Sequence, residues 1–150
     1  LYWLAARAPG TPLENPRQLQ AWRYPRQYGP QAPGFARGML PGHAGMPLLL
    51  SGTAAVVGHA SRHAASLAAQ LDETLHNLDS LIATARTQRP TLAPVPGAGT
   101  PLKVYVRDRD ALPTVAALLE ARLPASVPRL LLHGHVCRRE LAVELDGVHA

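Results

Sequence analysis

Cys137-Arg138-Arg139-Glu140-Leu141-Ala142-Val143-Glu144-Leu145, followed by Asp146, is the stretch on which the fold of this chain turns. From Glu140 to Asp146 polar and apolar residues largely alternate, which is the period of a β-strand. Leu141, Val143 and Leu145 then point to one face, and Glu140, Ala142, Glu144 and Asp146 to the other. Ala142 is small, and room beside Glu144 would let that carboxyl look into a cavity. Desolvation there would raise its pKa and suit it to acid catalysis. At about 3.3 Å per residue, Cys137 and Glu144 are too far apart to touch along one straight strand, so they meet only across a ligand or through a bend. An exposed edge strand with solvated charges and an ordinary buried thiol fits the same residue types.

Around this stretch the composition bounds the class. The chain has 150 residues, 47% of them hydrophobic, enough for one domain with a core. Basic groups number 15 against 10 acidic, and Lys103 is the only lysine. The arginines are scattered singly or in pairs with few aromatics to stack bases, so a nucleic-acid partner is not expected. An anionic small molecule fits better, because arginine offers a fork to carboxylates. The single cysteine excludes an internal disulfide framework and a cysteine-based zinc site, and a reducing cytoplasm is the expected location. No apolar span reaches membrane length and the N-terminus lacks the order of a secretory signal, so no membrane partner is expected. The chain begins on Leu1 rather than methionine and is expected to be a fragment or a processed chain.

Residues 1–47 hold much of the proline and glycine, which predicts an ordered, turning segment laid over something else. Trp22, Tyr24, Tyr28 and Phe35 alternate there with Arg17, Arg23, Arg26 and Arg37. Such a segment either walls an anion pocket or packs its rings on the core and solvates its arginines. The run from Leu48 to His59 predicts a buried strand, a bulge or tight turn at Ser51-Gly52-Thr53, and a continuing strand. Glycine inside a strand marks close approach, here of a ligand taking nearby N–H groups. Residues 64–87 predict a helix with Leu67, Leu71, Leu75, Leu78, Ile82 and Ala85 on one stripe and Gln70, Asp72, Glu73, Asn77 and Asp79 away from it. His59 with His63, and His133 with His135, could share faces, but no third ligand stands at a recognised spacing and no metal site is expected. Leu102 to Arg107 alternates as a strand with Lys103, Tyr105 and Arg107 on one face. Asp108 or Asp110 caps a helix to about Arg122, followed by the apolar run Leu130-Leu131-Leu132. Several strands and two helices predict an α+β fold, a mixed sheet with both helices on one face. The other face would need a cover, from the N-terminal segment or from another subunit or domain.

Several pieces together resemble the chorismatases: Asn15-Pro16-Arg17-Gln18, Arg23-Tyr24-Pro25 with Tyr28-Gly29-Pro30, Ser51-Gly52-Thr53-Ala54 with Val57-Gly58-His59, Leu102 to Arg107, and Cys137-Arg138-Arg139 before Val143-Glu144. The resemblance implies a fold like that of the RidA/YjgF deaminases, with residues 1–47 covering the active site and residues 48–150 forming the catalytic domain. Chorismatases normally carry a further N-terminal half, so the missing half, or RidA-like trimer packing, is the implied macromolecular partner. By this resemblance the chain would cleave chorismate to pyruvate and a hydroxybenzoate, the 3-isomer favoured over the 4-isomer. Glu144 would protonate the enolpyruvyl methylene. Cys137 matches a position that is cysteine in members forming 3-hydroxybenzoate and alanine in those that hydrolyse, and Ala54 falls near a second subtype position. Tyr28, Arg37, Lys103, Tyr105 and Arg107 are the implied carboxylate-binding or pocket residues, with Gly52 and Thr53 beside them. Arg129 corresponds by spacing to the ligand-binding arginine of the deaminases. No metal or organic cofactor is implied. The rivals are a RidA-like imine deaminase and a non-catalytic ligand-binding or assembly module of the same fold.

Overall fold

A computed structural model describes residues 5–150; residues 1–4 of the expected N-terminal segment lie outside the described residues. The strands in chain order are β1 (Thr11–Leu13), β2 (Gly38–Leu40), β3 (Leu48–Ala54), β4 (Val56–Val57) and β5 (Ala60–Ser61). Helix α1 (Leu67–Gln88) follows, then β6 (Leu102–Val106), α2 (Leu112–Arg122), β7 (Arg129–His133) and β8 (Val143–His149). Six strands form one sheet in the order β1-β2-β3-β8-β6-β7, while β4 and β5 make a small separate hairpin. Only β6 and β7 run parallel; the other neighbours are antiparallel. The sheet is therefore mixed, as expected, but the N-terminal segment does more than cover it, since it supplies β1 and β2 at one edge.

Both helices bury apolar residues at helical spacing, but only α1 has a side-chain cap. The expected aspartate cap of α2 falls instead on the 3-10 turn before it, and α2 has Ala111 at its N-cap and a proline in its first turn. Ser66 accepts a hydrogen bond from the Ala69 N–H, and Asp108 accepts from the Asp110 N–H at the 3-10 turn that runs into α2. Helix α1 packs across β3 and β8 and touches α2, which covers β7. Leu71, Leu78, Leu81 and Ile82 of α1 are fully buried against Leu48, Val104 and Leu145 of the sheet. Burial of each such side chain is worth about 1.5–3 kcal/mol.

Two expectations about faces need correction. Gln70 and Asn77 point inward rather than away, at 1% and 0% exposure, and Thr74 between them is buried as well. Helix α1 thus buries a second, polar stripe against loops that need donors. The closing strand begins at Val143, not Glu140, and residues 137–142 are held as a loop by Arg107, just beyond β6, and by Gln70 of α1. Its alternation nevertheless holds from there, with Val143 and Leu145 buried in the core and Glu144 and Asp146 on the opposite face. Strand β8 lies between β3 and β6, so the exposed-edge alternative does not apply. Among the described residues, no helix is long and apolar enough to cross a membrane.

Candidate active site

The site begins with the irregularity in β3. Leu50 stands opposite Gly147 and Thr53 opposite Leu145, so β3 advances three residues while β8 advances two. This bulge turns both Ser51 and Gly52 towards a cavity of about 510 Å³ on the sheet face away from the helices. Thr53 faces the core at 4% exposure, and its hydroxyl donates to the Ser51 carbonyl at 2.9 Å, which closes the bulge. Ala54, opposite Glu144, lines the cavity beside it.

The reason for glycine at position 52 is visible in the geometry. A Cβ there would sit 2.5 Å from Glu144 Oε1 and 3.0 Å from its Cδ. The expected close approach at this glycine is therefore made by the Glu144 carboxyl lying over the bulge. Burial pushes the pKa of Glu144 up from the ordinary carboxylate value, and the negative charge of Asp146 on the same strand adds to it. A shift in that direction makes the carboxyl hold its proton to higher pH than an ordinary glutamate does.

The loop beyond β7 brings Cys137 and Arg138 to the same cavity, so the bend needed to unite Cys137 with Glu144 is present. Arg107 holds the loop by donating to the carbonyls of Leu141, Val136 and Arg138 at 2.8, 2.5 and 2.6 Å. Gln70 reaches up from α1, donating to the Glu140 carbonyl and accepting from the Ala142 N–H, each at 2.8 Å. Cys137 is exposed rather than buried. The cavity wall and then the charge of Glu144 push its thiol pKa up, outweighing Arg138 and Arg107. A thiol held un-ionised is a poor nucleophile.

Residues 21–37 form the outer wall. Tyr24 is flanked by two guanidinium groups, with Arg37 at 5.5 Å and Arg138 at 5.2 Å from its ring centroid. Arg37 is 5% exposed; it donates to the Leu19 carbonyl and the Tyr24 hydroxyl, and its Nε is buried without a hydrogen-bond partner. Arg138 lies 3.9 Å over the Tyr28 ring and donates to the His59 carbonyl and the Ser61 hydroxyl. The Tyr28 hydroxyl is 3.2 Å from His59 Nδ1. Asn77 holds the junction of β3 and β4 beside the cavity by donating to the carbonyls of Ala54 and Val56 at 3.0 and 2.9 Å.

Of the residues singled out from sequence, Glu144, Cys137, Tyr28, Arg37, Gly52 and Ala54 line the one cavity, and Thr53 supports it. Lys103, Tyr105, Arg107 and Arg129 do not line it. Lys103 and Tyr105 engage Asp146 on the same sheet face, and Arg107 is spent on the loop carbonyls. Arg129 and Lys103 border a second hollow of about 420 Å³ between β6, β7 and β8. Ser51 and Arg138 join the site without having been singled out as binding groups, while Tyr24 and Phe35 come from the segment expected either to wall an anion pocket or to pack on the core. The spacing of Gln70, Thr74 and Asn77 by four and three residues was the readable signal for the supporting stripe. Among the described residues, no three of His, Cys, Asp and Glu gather closely enough to hold a metal ion.

No family model matches the chain. A 3-hydroxybenzoate synthase of Streptomyces hygroscopicus is 36% identical over 98% of this chain and 46% of its own length. The crystal structure of a chorismatase superposes with a TM-score of 0.86 at 35% identity, covering 95% of this chain and 44% of that one. The YjgF gene product of E. coli shares the fold at 17% identity, with a TM-score of 0.63 over 93% of this chain and 97% of that one. The chain spans about half the length of the curated relatives it matches. A RidA/YjgF-like α+β domain, this chain is related over nearly its whole length to the chorismatase family.

Proposed function

We propose that the chain carries the active site of a chorismatase, which cleaves chorismate into pyruvate and a hydroxybenzoate. The observation that carries this reading is one cavity lined both by Glu144, a carboxyl whose pKa burial raises, and by two guanidinium groups, Arg37 and Arg138, at 5.5 and 5.2 Å from the Tyr24 ring centroid. Chorismate offers two carboxylates to such a pair and an enol ether to the acid. Glu144 gives its proton to the enolpyruvyl methylene carbon, leaving a cation at the ether-bearing carbon. The ring hydroxyl or a water captures that carbon and gives up its O–H proton. After capture by water the bond from that carbon to the ether oxygen breaks and pyruvate leaves. After capture by the ring hydroxyl two bonds break, one from that carbon to one ring oxygen and one from the ring to the second oxygen, which departs as the keto oxygen of pyruvate. When the ring hydroxyl is the trap and the ring loses a proton to aromatise, pyruvate and hydroxybenzoate together account for every atom of chorismate. Water as the trap leaves the dihydrodiol instead. The aromatic product is favoured, the 3-isomer first, because Cys137 fills the space a water would need.

Residues 1–47 act as the cover of the site, and residues 48–150 as the catalytic body. The part of the relatives' length not spanned here, or a trimer of this domain, would cover the remainder of the open sheet face. The single cysteine supports a cytoplasmic location. Incubation with chorismate tests the reading: pyruvate release supports it. Hydrolysis of imines without pyruvate release would move the chain to the deaminases, and binding without turnover would make it a ligand-binding module.

A further inference from the structure

Anion binding and acid catalysis make opposite electrostatic demands on one cavity. Arg37 and Arg138 face it, and Arg107 lies beneath the loop. A cation close to a carboxyl favours its ionised form, but the influences on Glu144 are its burial and then the charge of Asp146, both of which favour the protonated form. The other titratable groups around Glu144 are the phenols of Tyr24, Tyr28 and Tyr105 and the thiol of Cys137. Asp146 and Lys103 lie on its face of the sheet, Glu14 acts on Arg37, Glu140 acts on Arg138 and Arg107, and His59 meets the Tyr28 hydroxyl.

Resting on the acid role given to Glu144 above, we propose that Asp146 is the positioning residue that keeps the Glu144 carboxyl supplied with its proton, and that Lys103 and Tyr105 hold Asp146 where it can do so. The register supports this assignment. Tyr105 stands opposite Glu144, and Lys103 opposite Asp146, across β6 and β8. Lys103 Nζ is 2.8 Å from Asp146 Oδ1 and 3.1 Å from Oδ2. The Tyr105 hydroxyl donates to Asp146 Oδ2 at 3.2 Å and accepts from Lys103 Nζ at 3.3 Å. This lattice fixes Asp146 two residues from Glu144 on one face, about 7 Å along the strand. At that separation the groups do not share a hydrogen bond, but a charge in partly buried surroundings still acts on its neighbour. Lys103 limits the effect, because its ammonium offsets part of the Asp146 charge. The pair thus sets the Glu144 proton from both directions.

The test is a carboxyl ¹³C titration of Glu144 by NMR, assigned with Glu144→Gln, alongside the pH profile of kcat for pyruvate release. Asp146→Asn keeps the shape and the acceptor for Tyr105 but removes the charge; the Glu144 midpoint and the alkaline limb should both move to lower pH. Lys103→Met removes the offset and should move both to higher pH. A purely structural role would not produce shifts of opposite sign. An unmoved midpoint in either folded variant, or movement of both in one direction, overturns the proposal. If the wild type releases no pyruvate, the chorismatase reading fails while the titration still decides this one.

Discussion

Alanine at Gly52 adds one methyl group where the Glu144 carboxyl now lies. The new Cβ would be 2.5 Å from Oε1 and 3.0 Å from Cδ, against an ordinary contact of at least 3.4 Å. The backbone gives no reason for strain, since the left-handed glycines are Gly29 and Gly58, not Gly52. The carboxyl end of a flexible side chain therefore moves, by roughly 1 Å, while the strand stays. Misplacing a reacting group by that much costs about 10²-fold in rate, equivalent to about 2.7 kcal/mol of barrier. Glycine in a strand interior is itself unfavourable by roughly 0.5–1 kcal/mol relative to alanine, so the variant should melt no lower than wild type. Pyruvate release read through lactate dehydrogenase, together with a melting curve, measures both quantities. A kcat within a factor of about three of wild type would refute the claim that the Glu144 carboxyl acts from its place over the bulge. Loss of rate accompanied by a lower Tm would refute the claim that only the side chain gives way.

Glu144→Gln should lower kcat by about 10²–10⁴-fold, measured as pyruvate release. Because the folded pKa of Glu144 is raised, the stability it contributes is present below the unfolded value and lost as pH rises through the folded one. The glutamine variant should therefore melt higher than wild type at mildly alkaline pH, with the gap closing well below pH 4.5. Arg138→Lys keeps the charge but loses the planar group stacked on Tyr28, and should raise KM more than it lowers kcat; an unchanged KM in steady-state kinetics would remove Arg138 from substrate binding. Cys137→Ala should keep pyruvate release and shift the product from hydroxybenzoate towards the dihydrodiol, as read by chromatography of the mixture; an unchanged aromatic fraction would leave Cys137 a packing residue.

The amino-acid order alone determined what depends on neighbours in the chain. The alternation of Leu102, Val104 and Val106 made β6 legible, the leucine spacing from Leu67 to Ile82 made α1 legible, and the glycine among β3 residues announced the bulge, because each is a local period or a local backbone requirement. The face of β8 that carries Glu144 was legible for the same reason, since one face of its strand is core and the other is not. The tertiary structure alone decided which charges meet the cavity. Lys103, Tyr105 and Arg107 share a strand face with the site and yet have partners in Asp146 and the carbonyls of the 136–141 loop. Arg37 and Arg138, about a hundred residues apart, flank one tyrosine. An arginine's partner is set by which carbonyls and rings the folded loops leave within its reach, and that is a property of distance in space, which no period along the chain encodes.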